Sequence, residues 1–284
     1  ACVSPASNLR GPLLMALASA LFAAMGVLVK LAAMGLPAAH IVLWRNVFSV
    51  VGMIPLIVRE PSLVRAHRFG PLVLRSLSGV ASMYCYFTAI DRLPLGDAVM
   101  ISYASPLFVA LFAPFVAGEP WRAGTWRALL VGFLGVALVA DPTLQVDRVG
   151  LAAAMATAML AGLAYVSVRV ATRTERDDTI VFWFCGISSL VFAPVPLLDP
   201  VPYDARAWVL LVAIGLVGLV AQLVMTRALG SGEASRISLY GYLTPVFAYL
   251  GGLLVLGEPV GWRGLAGTAL VCVAGVLAAR APAG

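Results

Sequence analysis

Charge is scarce in this sequence: only 11% of its 284 residues are Asp, Glu, Lys or Arg, where an ordinary soluble domain carries roughly 25%. With 62% apolar residues and a mean hydropathy of +0.99, it has too little polar surface to coat a water-soluble globule. Histidine is nearly absent, with His40 and His67 alone, and the four cysteines (Cys2, Cys85, Cys185 and Cys272) stand isolated. Neither a disulfide framework nor a metal centre is therefore expected. Glycine-rich phosphate loops and nucleophile–base–acid patterns are also missing, so nothing points to an enzyme or to a bound cofactor. Carboxylates avoid the middle of every long apolar run. Asp97, Glu119, Glu233 and Glu258 all fall near run ends, which argues against a proton relay buried at mid-membrane. Lys and Arg exceed Asp and Glu by six, yet no basic patch lies within a polar foldable module, so nucleic acid is not an expected partner.

What the sequence does contain is apolar length. Runs at 12–34, 38–58, 71–90, 95–117, 124–140, 149–170, 180–198, 206–228, 233–256 and 261–279 each approach the roughly 20 residues that span a bilayer. The first run has no convincing small-residue cleavage site and reads as a transmembrane helix rather than a leader. The fold class expected is an all-α polytopic membrane protein of ten transmembrane helices in contact with membrane lipid. Placing both ends and alternate connections on one side gives that side Arg10, Arg59, Arg65, Arg68, Arg122, Arg127, Arg169, Arg173, Arg176, Arg227, Arg236 and Arg280. The other side keeps only Arg92, Arg148, Arg206 and Arg263. By the positive-inside rule both termini are expected in the cytoplasm.

A shift of 139 positions lays the sequence on itself. Tyr103-Ala104-Ser105-Pro106-Leu107-Phe108 falls on Tyr242-Leu243-Thr244-Pro245-Val246-Phe247, Gly118-Glu119-Pro120 on Gly257-Glu258-Pro259, Lys30 on Arg169 and Trp44 on Trp183. Two units follow, 1–140 and 141–284. Five spans each is an odd number, so the second unit enters the membrane inverted, the symmetry from which many transporters derive two access states. Pro106 and Pro245, inside apolar runs, are the hinge candidates.

Arg45 is the sharpest single signal, a cation about seven residues, or roughly 10 Å, inside the second run. Lys30, Trp44, Tyr84, Tyr103, Trp183 and Tyr242 join it as candidates to line a substrate cavity, because aromatic rings suit apolar or cationic ligand groups and a cation suits a carboxylate. Arg75 and Arg169 read instead as anchors at the cytoplasmic end.

The run ending at Lys30, Trp44-Arg45-Asn46, Leu93-Pro94-Leu95-Gly96-Asp97-Ala98 leading to Ser105-Pro106-Leu107-Phe108, and the paired Gly-Glu-Pro patterns together resemble the bacterial drug/metabolite transporter superfamily, in particular its ten-helix EamA-type exporters. The resemblance covers nearly the whole chain. It implies a carrier in the bacterial cytoplasmic (inner) membrane with a central cavity for a small-molecule substrate. It is nearest to the aromatic amino acid exporter branch, with export of neutral and aromatic amino acids as the expected activity. Carriage of S-adenosylmethionine or a purine-type metabolite, or a non-transport scaffold or sensor role, stays open. Apolar helix surfaces that face lipid and those that face another subunit look alike, so no oligomeric partner can be named.

Overall fold

In hydrocarbon each backbone N–H and C=O must find a partner within the chain, and helices satisfy that need locally. The computed structural model describes residues 5–119, 130–132, 134–135, 138, 147–251, 254–255 and 261–280, and within them the secondary structure is entirely helical. The helices are α1 (Pro5–Ala33), α2 (Ala38–Arg59), α3 (Phe69–Arg92), α4 (Leu95–Ser102), α5 (Ser105–Val116), α6 (Arg148–Ala171), α7 (Asp177–Phe192), α8 (Val195–Leu198), α9 (Ala205–Gly230), α10 (Ala234–Ile237), α11 (Leu243–Gly251) and α12 (Trp262–Arg280), with short 3₁₀ turns at Pro61–Val64 and Ser238–Tyr242. Among the described residues, six stretches are long and apolar enough to cross a membrane: Arg10–Ala33, Ala38–Arg59, Asp97–Val116, Arg148–Ala171, Asp177–Leu198 and Ala205–Gly230. The chain is a multi-pass membrane protein.

Local chemistry marks where helices begin and end. Asp147 and Asp204 cap α6 and α9, each accepting a backbone N–H (Gly150 and Ala207, both 2.7 Å). The Gly150 N–H, with help from Arg92, holds the Asp147 carboxyl below its ordinary pKa. The expected single span at 95–117 is divided at Tyr103-Ala104, so Pro106 sits in the first turn of α5 rather than inside a continuous helix. A proline is unstrained there because first-turn N–H groups have no intrahelical acceptor. The corresponding later stretch divides too, with the 3₁₀ turn Ser238–Tyr242 ahead of α11, in which Pro245 lies. The 124–140 span and Gly257-Glu258-Pro259 fall wholly or largely outside the described residues.

Helix α3 is as long as the spanning helices but turns its polar residues inward. Arg75, Ser76, Ser78 and Ser82 are buried, while Val73, Leu74 and Leu77 are exposed. Such a helix is wetter inside than outside, as a bundle surrounded by lipid permits.

Packing joins early helices to late ones: α1 against α9 and α11, α3 against α6 and α7, α2 against α7 and α9, and α4 and α5 against α6. Helices α2 and α7 run antiparallel. His40 near the start of α2 lies 3.5 Å from Asp199 beyond α7, and Glu60 after α2 pairs with Arg176 ahead of α7. The connections therefore gather at two ends. One end joins Lys30 to the Leu93 carbonyl and Arg92 to Asp147. The other joins Glu60 to Arg176, Arg173 to the Ala117 carbonyl and Arg227 to Asp178.

Candidate functional site

At the middle of the bundle lies a cavity of about 100 Å³, walled by α1, α2, α3, the α4–α5 break, α6, α7 and α9. Its polar lining is Arg45, Arg75, Ser82, Ser102, Ser105, Thr157 and Gln222, and its rings are Phe22, Tyr86, Phe87, Tyr103, Tyr165 and Phe184. Among the described residues that line it there is no Asp or Glu. The volume is below the about 300–1,000 Å³ of ordinary ligand pockets.

Arg45 is fully buried and Arg75 is 3% exposed. Arg45 donates to Asn46 Oδ1 (2.7 Å) and to the Gly218 carbonyl (3.3 Å), and Arg75 donates to Gln222 Oε1 (3.1 Å). Both guanidinium carbons stand over the Phe184 ring, at 5.5 Å for Arg45 and 4.1 Å for Arg75. That cation–π contact offsets part of the cost of desolvation. Asn46 is itself fixed by donating to the Val42 carbonyl at 2.7 Å, so the α2 backbone aims the side chain that holds Arg45.

Two glycines make room for this stack. A Cβ on Gly218 of α9 would lie 2.9 Å from Arg45 Nε and 3.0 Å from Met25 Sδ, and one on Gly79 of α3 would meet Arg75 and come within 2.9 Å of Phe184. The two contacts are counterparts: Phe184 stands 139 positions after Arg45, and Gly218 the same distance after Gly79.

Of the residues singled out from sequence, Arg45 and Tyr103 meet at this cavity. Lys30 instead donates to the carbonyls of Ile90 (2.6 Å) and Leu93 (2.7 Å), tying the end of α1 to the end of α3. Trp44 packs edge-on against Trp208 at 4.7 Å, with Phe48 and Tyr203 beside it. Trp183 packs against Phe69 at 4.8 Å and against Phe182. Neighbouring helix positions are about 100° apart, so Trp44 and Trp183 face away from the cavity that Arg45 and Phe184 enter. Tyr84 is 42% exposed and lies against Phe192 on the outer surface. The side chains of Tyr242 and Pro245 lie outside the described residues.

Arg75 is the residue sequence reading misplaced, since it belongs to the cavity and not to a membrane edge. Its signal was present in the spacing Arg75, Gly79, Ser82, Tyr86, a stripe of non-aliphatic positions along one face of α3, all four of which line the cavity. Tyr165, Phe184 and Gln222 gave no comparable signal. Among the described residues, no group of three His, Cys, Asp or Glu is placed to hold a metal ion.

The profile of the EamA-like transporter family matches residues 9–140 and again 148–280. The chain belongs to this family. As an EamA-like transporter it is similar to the pseudopaline exporter CntI of Pseudomonas aeruginosa, 33% identical over 277 residues that cover 96% of this chain and 97% of the relative. A riboflavin transporter of Rhizobium johnstonii is 26% identical, covering 98% and 93%, and human solute carrier family 35 member G1 is 26% identical, covering 85% and 71%. A crystal structure 21% identical in sequence superposes with a TM-score of 0.71 over 97% of each chain, which shows the fold. The pseudopaline exporter, the riboflavin transporter and the solute carrier are all transport proteins. They do not single out the aromatic amino acid branch of the family that the motifs suggested.

Proposed function

We propose that this EamA-like transporter exports a small metabolite bearing an amino-acid-type carboxylate across the bacterial cytoplasmic membrane, by alternating access between two inverted five-helix units, 1–140 and 141–284. The observation that carries the substrate reading is Arg45, a fully buried guanidinium in a cavity whose described lining residues include no carboxylate. A ligand carboxylate would supply the missing charge, while Phe22, Tyr86 and Tyr103 would take an apolar or aromatic body. A sulfonium such as that of S-adenosylmethionine would meet two like charges there, which weighs against that alternative.

The inverted arrangement is supported by the double match of the family profile and by contacts that come in pairs. Trp44 meets Trp208 while Trp183 meets Phe69, and each partner is 139 positions from its counterpart. Lys30 donates to carbonyls at the end of α3, and Arg169 likewise donates to the Gly230 carbonyl at the end of α9. Export is supported by the similarity to the pseudopaline exporter. The cytoplasmic placement of both termini is supported by Arg59, Arg65, Arg68, Arg173, Arg176 and Arg227 gathering at one end.

The test uses proteoliposomes of a variant without native cysteines, carrying thiol pairs in place of Trp44 and Trp208, or of Phe69 and Trp183. Cross-linking either pair is expected to stop counterflow of labelled amino acids, and reducing the link to restore it. Undiminished flux with both ends locked would sink alternating access.

A further inference from the structure

Two buried cations share one ring in this cavity, and that exceeds what a single carboxylate requires. Among the described residues, the acceptors that hold Arg45 and Arg75 are neutral: Asn46 Oδ1, the Gly218 carbonyl and the Cys185 thiol for Arg45, and Gln222 Oε1 for Arg75. Their Nε atoms are buried with no acceptor. Three arginines at the ends of the bundle are treated differently, although Arg169 and Arg173 also bond only backbone carbonyls. Arg92, Arg176 and Arg227 each meet a carboxylate at an end of the bundle.

A guanidinium removed from water without a counter-charge is strongly disfavoured, and two near each other also repel. A monoanion bound to one guanidinium leaves the other uncompensated. Two anionic groups on one ligand would neutralise both, each carboxylate able to take a guanidinium in a two-pronged hydrogen bond. The Tyr86 hydroxyl and Ser102 Oγ, which line the cavity and are likewise buried without a partner, remain to donate to the outer carboxylate oxygens.

Building on the carrier reading above, we infer that the transported ligand is a dicarboxylate, one carboxylate for Arg45 and one for Arg75, on a short body that lies against Phe184. Neutral amino acids are then poor ligands rather than the principal cargo.

Equilibrium binding and flux are measured separately. Purified protein in lipid nanodiscs is titrated calorimetrically with succinate, phenylsuccinate, the monomethyl ester of succinate, phenylalanine and S-adenosylmethionine, and the same compounds are tried in proteoliposome counterflow. The diacids are expected to bind at least about tenfold more tightly than the monoester or phenylalanine, the size of step that one lost charged contact gives. Arg75→Gln is expected to erase that preference to within about twofold, and Arg75→Lys to restore part of it, since charge returns without the fork. Equal or weaker binding of the diacids by the wild-type protein overturns the inference, as does absence of binding to any of the five compounds. Flux of phenylalanine or S-adenosylmethionine but not of diacids overturns it too, yet leaves the carrier reading standing. Tight diacid binding without counterflow of any compound does the reverse: the ligand class holds and the carrier reading fails.

Discussion

At Gly218 the cavity wall has room for a hydrogen atom and no more. Any larger side chain there meets Arg45 Nε at 2.9 Å and Met25 Sδ at 3.0 Å. The backbone behind it is helical and cannot retreat without disturbing α9. Gly218→Ala is therefore expected to tilt the guanidinium off Phe184 and weaken ligand binding by about tenfold, roughly 1.4 kcal/mol, while the protein still inserts. Gly35→Ala, where a Cβ meets nothing within 4 Å, is the control expected to change nothing, and titration calorimetry of both variants decides. Arg45 was legible from sequence because a cation deep in an apolar run has few reasons to be there. Arg75 was not, because six residues past the start of α3 a long side chain can equally reach the interface, and only the neighbouring helices decide which way it turns. Phe184 carries no chemical label at all until Gly79 is seen to admit it.

Between elements, the connections are held by specific charges. Glu175, in the turn between α6 and α7, has a side chain only 1% exposed and accepts the backbone N–H groups of His67 (2.8 Å) and Arg68 (2.6 Å). Burial alone would raise its pKa, but these bonds and the His67 ring outweigh it and leave the carboxyl below its ordinary value. The sign follows: the ionised clasp stabilises the α2–α3 connection above the usual carboxylate pKa and is lost as pH falls through the lower native one. Hydrogen exchange at the His67 and Arg68 amides, corrected for intrinsic rates, should stay slow through neutral pH and accelerate only in acid. Glu175→Gln should lose about 1–3 kcal/mol of that protection at neutral pH and show no acid step. A wild-type profile without the step would refute the clasp. Helix limits were largely readable in advance, with α2 expected at 38–58 and found at Ala38–Arg59. The division at Tyr103-Ala104 was missed because every residue from Ala98 to Val116 apart from Ser102, Tyr103, Ser105 and the prolines is apolar. Hydropathy registers length rather than continuity.

For the molecule as a whole, the arrangement of arginines makes orientation testable. In intact cells, a cysteine placed by Arg65→Cys should resist a membrane-impermeant maleimide until the membrane is broken, whereas one placed by Arg206→Cys should label from outside; the opposite pattern would invert the topology. Membrane class was readable because solvation in lipid acts on whole segments. The cavity was only half readable, because which face of each helix turns inward is settled by partners remote in sequence, as Tyr84 and Trp44 illustrate.

The two aromatic clusters at opposite ends of the bundle are not equals. Among the described residues, the one around Trp44 gathers Phe48, Tyr203 and Trp208, and Tyr203 also bonds His40 at 2.6 Å, whereas the one around Trp183 has Phe69 and Phe182. Under the alternating access proposed above, unequal clasps give the carrier a preferred posture when empty. Ligand arriving at the face which that posture conceals can bind only the minority of molecules turned toward it, and its apparent affinity is weakened by that fraction. One cavity would thus present two half-saturation concentrations, one to each side of the membrane. The maximal rates in the two directions must differ in compensation, because without a gradient no clasp can drive net flow.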